Sequence, residues 1–196
     1  MMADLKIDDV TRSSNGTKRI HPYKFTLWVG IASIIMMFAG FTSAYIVRRN
    51  MANWTMFDLP LIFWYSTAAI LLSSVTMMLA QRSFKNREMA KYRSLLTVTM
   101  VLGVLFIIMQ VAGFSQLMQK GSPLGKTNSV DYLYVIVGVH ALHVVAGVIA
   151  LIVMFAKAFS SKIKNYNIVP VEVLSTYWHF VDLLWIYLLI FLIAIK

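Results

Sequence analysis

Five stretches of this chain are long and apolar enough to cross a bilayer, and four of them contain no charged residue. A hydrocarbon core of about 30 Å takes about 20 apolar residues in a helix. Phe25–Val47 lies between Lys24 and Arg48, Leu59–Ala80 between Asp58 and Arg82, and Ser94–Met118 between Arg93 and Lys120. Tyr132–Ala156 lies between Asp131 and Lys157. Val173–Ile195 lies between Glu172 and Lys196 and holds one internal charge, Asp182. In hydrocarbon a segment must satisfy its own backbone polar groups, and a helix does this alone. The pattern predicts an all-α, polytopic membrane protein with five transmembrane helices in one bundle. Composition agrees: residues are 59% hydrophobic and 13% charged. That is too apolar for disorder, and too poor in charge for a soluble domain, where charged residues make up about 25%.

The connections, 48–58, 81–93, 119–131 and 157–172, leave no room for another domain. Residues 1–24 read as a polar cytoplasmic tail and 25–196 as a single transmembrane domain. The first apolar run is too long for a signal-peptide core, and no small-residue cleavage site follows it, so it is expected to remain as an anchor. The net charge of +10 has a topological origin. Thirteen of the 18 Lys and Arg fall in the tail, in 81–93 and in 157–172, and five fall in the other connections and at the C-terminus. The positive-inside rule then expects a cytoplasmic N-terminus and an outside C-terminus. Basic stripes that would track nucleic acid are missing, so no nucleic-acid partner is expected. The 81–93 loop suits anionic lipid headgroups. The absence of cysteine excludes a disulfide framework, a thiolate metal site and a Cys nucleophile.

Ionisable side chains inside a membrane are costly and usually face a bundle interior or a cavity. Here they are His140 and His143 in the fourth span, and His179 and Asp182 in the fifth. Each pair is spaced i, i+3, so each shares a helix face. At 1.5 Å per residue, His143 and Asp182 fall within about 3 Å of the midplane, while His140 and Gln110 fall about 6 Å outward of it. Two interhelical contacts are therefore expected: His143–Asp182 and Gln110–His140. This cluster reads either as interhelical glue or as a proton relay or metal site. A metal site usually needs three or four ligands, and no HExxH motif is present. A single haem cannot use both His140 and His179, whose depths differ by about 13 Å. The small pairs Ala39/Ser43 and Gly40/Ala44 are expected to let helices approach closely, and Ser73, Ser74 and Thr76 to hydrogen-bond backbone or a neighbouring helix. Pro60 opens the second span, where its missing N–H costs nothing. Trp54 and Tyr132 suit an interfacial aromatic belt.

Thr176–Tyr187, reading TYWHFVDLLWIY, resembles the last helix of subunit III of haem–copper oxidases, with its YWHFVD signature. Glu172 matches the acidic residue that this family places seven positions before the His. Gly138–Leu151, GVHALHVVAGVIAL, is similar to the family's GxHGLHVxxG helix, with Ala141 in place of one Gly. Phe38–Tyr45 (FAGFTSAY), Leu71–Thr76 (LLSSVT) and the Gly103–Phe106–Gln110 spacing also fit, so the resemblance touches all five spans. Two departures stand out. Longer members carry a glutamate after the serine of the first of these helices, where this chain has Ile34 after Ser33. They carry another three residues after the Gln, where this chain has Gly113. Mitochondrial members have seven helices, and this chain looks like a bacterial five-helix form.

The resemblance implies a non-catalytic subunit in the bacterial cytoplasmic membrane. Such a subunit stabilises subunit I, holds phospholipid, supports proton uptake in aerobic electron transport and bears no cofactor or metal itself. Haem and copper would belong to the partner subunits I and II, and a larger respiratory supercomplex is a further implied partner. The residues carried over as a lipid-binding or structural polar cluster are His140, His143, Glu172, Trp178, His179 and Asp182, together with Gln110. Subunit III of a quinol oxidase and the accessory subunit of a nitric oxide reductase are alternatives of the same class. A small proton-coupled transporter using His143 and Asp182 is the alternative of another class, and the inverted repeats and broken helices frequent in transporters are not visible in the sequence.

Overall fold

A computed structural model describes residues 22–48, 61–119, 128–159 and 168–194. Most of the expected polar tail, and the expectations for Trp54 and Pro60, lie outside the described residues. The described residues are all-helical: α1 (Pro22–Arg48), α2 (Ile62–Lys85), α3 (Met89–Gln119), α4 (Asn128–Phe159) and α5 (Val169–Ala194). All five contain a stretch long and apolar enough to cross a membrane.

The helices overrun the apolar runs. They contain 24 to 32 residues, or about 36–48 Å at 1.5 Å per residue, against a hydrocarbon core of about 30 Å. The largest correction falls on 81–93, expected as a loop. It is helical on both sides of a turn at residues 86–88. Long Lys and Arg side chains reach from a helix end into the headgroup layer, so charge does not end the helix there. The turn itself is closed by backbone. The Arg87 N–H donates to the Phe84 carbonyl at 3.1 Å and the Glu88 N–H to the Ser83 carbonyl at 3.0 Å. Arg87 takes φ 60°, the left-handed position that glycine usually fills in this helix ending.

That tight turn lays α2 and α3 side by side, and they form the most extensive helix pair in the bundle. Among the described residues α5 packs on α1, α2 and α4, whereas α1 touches only α4 and α5. Two buried clusters follow this division. The larger joins α2 to α5 through Ile70, Met77, Leu96, Phe106, Trp178 and Trp185 among others. The smaller seats α1 on α4 and α5 through Phe38, Tyr45, Ile136, Leu184 and Leu188.

The small pairs of α1 do not form its packing face. Ala39, Gly40 and Ser43 are exposed, and a Cβ at Gly40 would meet nothing within 4 Å. The buried face is Ile31, Phe38, Thr42 and Tyr45, because the large side chains at that spacing fill the groove between α4 and α5. Tyr132 is half-buried at the start of α4, with the Arg48 guanidinium 5.0 Å above its ring. At the opposite end of α1, Lys24 reaches the Glu172 carboxylate at 2.7 Å, and Lys85 reaches its other oxygen at 3.5 Å. One carboxylate therefore ties together the ends of α1, α2 and α5.

Candidate functional site

Lipid tails are as apolar as leucine, so burial alone gives helices little reason to associate inside a bilayer. Close packing and interhelical hydrogen bonds take over that role. In this chain both converge on α5. Its residues Trp178 and His179 lie three and four positions after Ser175, and Trp185 lies two turns after Trp178, so all four share one face. α2 runs antiparallel to α5 and offers a side-chain partner to each of them. Ser175 Oγ donates to Gln81 Oε1 at 3.0 Å, and the Trp178 indole N–H to Ser73 Oγ at 3.0 Å. The Ser74 hydroxyl bonds His179 Nδ1. The Trp185 indole N–H donates to Thr67 Oγ1 at 3.0 Å. α2 also reaches α3, through Thr76–Thr99 at 2.8 Å and Ser66–Gln110 at 3.0 Å. Interhelical hydrogen bonds of this kind contribute about 0.6 kcal/mol each in a membrane.

Trp178 is the keystone of this arrangement. It is fully buried, and three helices shape its socket. A Cβ at Gly103 of α3 would lie 2.8 Å from Trp178 Cη2, and one at Gly147 of α4 would lie 3.1 Å from Cζ3. Two glycines thus close on the six-membered ring of the indole while α2 takes its N–H.

The two expected contacts do not form. Gln110 turns its amide N–H to Ser66, not to His140. His143 Nδ1 donates to the Val139 carbonyl of its own helix at 2.8 Å, not to Asp182. Matching depths fixes height along a helix but not the direction in which a side chain points. A carbonyl four residues back is also a nearer acceptor than any neighbouring helix. His143 instead sits edge-on to Phe38 of α1, with ring centroids 6.0 Å apart. His140 is buried and stacked on Trp185 at 5.3 Å, with Phe38 and Phe106 edge-on. Among the described residues neither ring nitrogen of His140 has a hydrogen-bond partner, nor does either carboxyl oxygen of the buried Asp182.

The seven residues singled out from the sequence therefore divide. Trp178, His179 and Gln110 pin helices together, and Glu172 holds the ion pairs at one end. His140, His143 and Asp182 face the interior without bonding one another. Sequence reasoning missed Ser66, Thr67 and Gln81 on α2, and the glycines that seat Trp178. The recurrence of Ser, Thr and Gln along α2 was the available signal for the first set. The missing family carboxylate at position 113 also has a physical account. A Cβ there would already approach Ile62 Cγ2 at 2.9 Å and Phe63 at 3.2 Å, so α2 fills the space of a glutamate. Ile34, at the other departure, packs against the cluster that seats α1. No group of three or more His, Cys, Asp or Glu able to hold a metal ion is found among the described residues.

Five long apolar helices, clasped by hydroxyl-to-ring bonds around a central tryptophan, define a multi-pass, all-helical membrane protein. The family profile described as Cytochrome c oxidase subunit III matches residues 20–195, and the chain belongs to that family. It is similar to cytochrome c oxidase subunit 3 of Bacillus sp. (strain PS3), 24% identical over 166 residues that cover 82% of this chain and 80% of that protein. It is 29% identical to cytochrome bo(3) ubiquinol oxidase subunit 3 of Pseudomonas aeruginosa over 167 residues, covering 83% and 79%. A probable cytochrome c oxidase subunit 3 of Nocardia farcinica is 29% identical over 188 residues, covering 90% and 92%.

Proposed function

We propose that this chain is the non-catalytic subunit III of a bacterial haem–copper terminal oxidase in the cytoplasmic membrane. It braces subunit I, holds phospholipid and supports proton uptake, with its N-terminus cytoplasmic and its C-terminus outside. Haem and copper reside in subunits I and II. The observation that carries this reading is the use made of the YWHFVD segment. Within it Trp178 and His179 are spent on joining α5 to α2, and Trp178 also on filling the space between α3 and α4. A segment used this way supports a scaffold role. The end of the bundle that carries Lys24, Lys85 and Glu172 suits lipid headgroups, since two ammonium groups share one carboxylate there.

Affinity purification in a mild detergent tests the reading. The expected outcome is co-purification of a haem-containing subunit, with no stoichiometric haem absorbance when the chain is isolated alone. Haem bound to the isolated chain, or no haem protein in the assembly, overturns it. A quinol oxidase is the second reading, favoured by the similarity to the bo(3) ubiquinol oxidase subunit. A quinol-oxidising, cytochrome c-indifferent complex would establish it.

A further inference from the structure

Among the described residues α1 and α2 both pack on α5 without meeting each other. Between them α5 leaves a furrow floored by Leu183 and Ile190, which are 65% and 61% exposed. Glu172, with Lys24 of α1 and Lys85 of α2 on its two oxygens, closes one end. On α1, Thr42 meets Tyr187 of α5 at 3.1 Å and Arg48 meets Tyr132 of α4. The side of α1 beyond Thr42 therefore faces the furrow. At about 100° per residue that side carries Ala32, Ile35 and Ala39, all exposed. The α2 wall is Leu71 and Met78, also exposed, with Ser74 on the same face between them.

His179 lies at the edge of this furrow, beside Ser74, with its ring half-buried. Ser74 takes only Nδ1. Nε2 has no partner among the described residues and, unlike both ring nitrogens of His140, is not sealed inside the bundle. Counted from the centre of the apolar run 173–195, His179 is about 7 Å from the midplane, inside a hydrocarbon half-thickness of about 15 Å. Lipid tails there offer nothing to bond, and an ionisable group at that depth normally faces protein or a cavity. The wall helix is short of cover as well. Only 17% of the most apolar stretch of α1 is buried by the chain, the lowest share of the five spans.

We propose that the α1–α5–α2 furrow receives a transmembrane helix of the haem-containing partner subunit, which sets a hydroxyl or amide side chain against His179 Nε2. The inference rests on the oxidase reading above and names the face through which that subunit is braced. A hydroxyl or an amide can donate or accept, so either suits both tautomers of the ring. Ala32 and Ala39 let a helix approach α1 closely. Acyl chains would suit the apolar walls equally well, but they would leave Nε2 unpaired.

Photo-crosslinking in the assembly purified in mild detergent tests this. The photoreactive p-benzoylphenylalanine replaces Leu183 or Ala39 in the furrow and, for comparison, the exposed Val111 of α3 or Leu142 of α4. Positions 183 and 39 are expected to capture the haem-containing subunit, identified by mass spectrometry, and positions 111 and 142 to capture lipid. Lipid alone at 183 and 39, with the haem protein present, overturns the docking site and leaves the oxidase reading standing. A preparation with no haem protein overturns both. His179→Asn supplies a second measurement. The shorter amide can still reach Ser74 but presents nothing where Nε2 stood. Loss of the haem-containing subunit on dilution should rise about threefold, the factor that one interhelical hydrogen bond in a membrane yields. His179→Gln, whose amide reaches further, should restore part of it. Retention by His179→Asn equal to that of the parent overturns the proposal.

Discussion

The α2–α5 seam and the α3–α4 groove are built from similar residues, yet the bundle treats them differently. Along the seam Ser175, Trp178, His179 and Trp185 each find a side chain of α2. Along the groove Gln110 Oε1, Tyr134 and His140 find none among the described residues. Glycine makes the same division. Gly103 and Gly147 press on an indole, while a Cβ at Gly138, beside the groove, would meet nothing within 4 Å. The chain closes on itself at the seam and leaves buried polar groups unpaired at the groove. In lipid, where packing and hydrogen bonds hold helices together, the seam carries the stability and the groove tolerates change.

Substitutions at four positions test that contrast. The largest effect is expected from Trp178→Ala, which empties the socket between α3 and α4 and removes the bond to Ser73. Large-to-small changes at such sites cost about 3–5 kcal/mol. The yield of assembled protein and its Tm should both fall sharply, and a mild effect would mean that the seam is not the stabilising interface. Next comes a glycine pair. Gly103→Ala forces the Trp178 ring aside and is expected to cost about 1–3 kcal/mol, as overpacking does. Gly138→Ala should leave the Tm within error of the parent, and equal losses at both positions would erase the distinction. Smallest is Ser73→Ala, which leaves the indole N–H without its acceptor at a cost of about 1 kcal/mol. Ser73→Thr keeps the hydroxyl and should restore part of the loss, measured by thermal unfolding in the same detergent.

Much of this architecture was legible in the sequence, because each span announces itself by length and lack of charge. The bundle class and the Ser73 and Ser74 contacts followed from residue type and spacing. What could not be read was direction around each helix. His143 and Asp182 lie close in predicted depth, and Gln110 and His140 do too, yet neither pair bonds. The azimuth that separates them is set by the packing of all five helices together. Gly40 misled for a related reason. A small residue permits close approach but does not require it, and in α1 the large residues Phe38 and Tyr45 took the buried face. The α2–α3 connection was hidden by its charges, which read as loop and are helix.

The seating of α1 has a consequence for how the protein is made. This helix is synthesised before the other four described here, yet its neighbours are α4 and α5, the last of them. The α2–α3 hairpin can form as soon as its short turn is complete, because its contacts are local in sequence. α1 cannot. Until α4 and α5 enter the bilayer, it has no helix of its own chain to rest on, and Lys24 has no Glu172 to meet. Its insertion must be secured by hydropathy alone, and its docking is a late event in biogenesis that depends on completion of the chain.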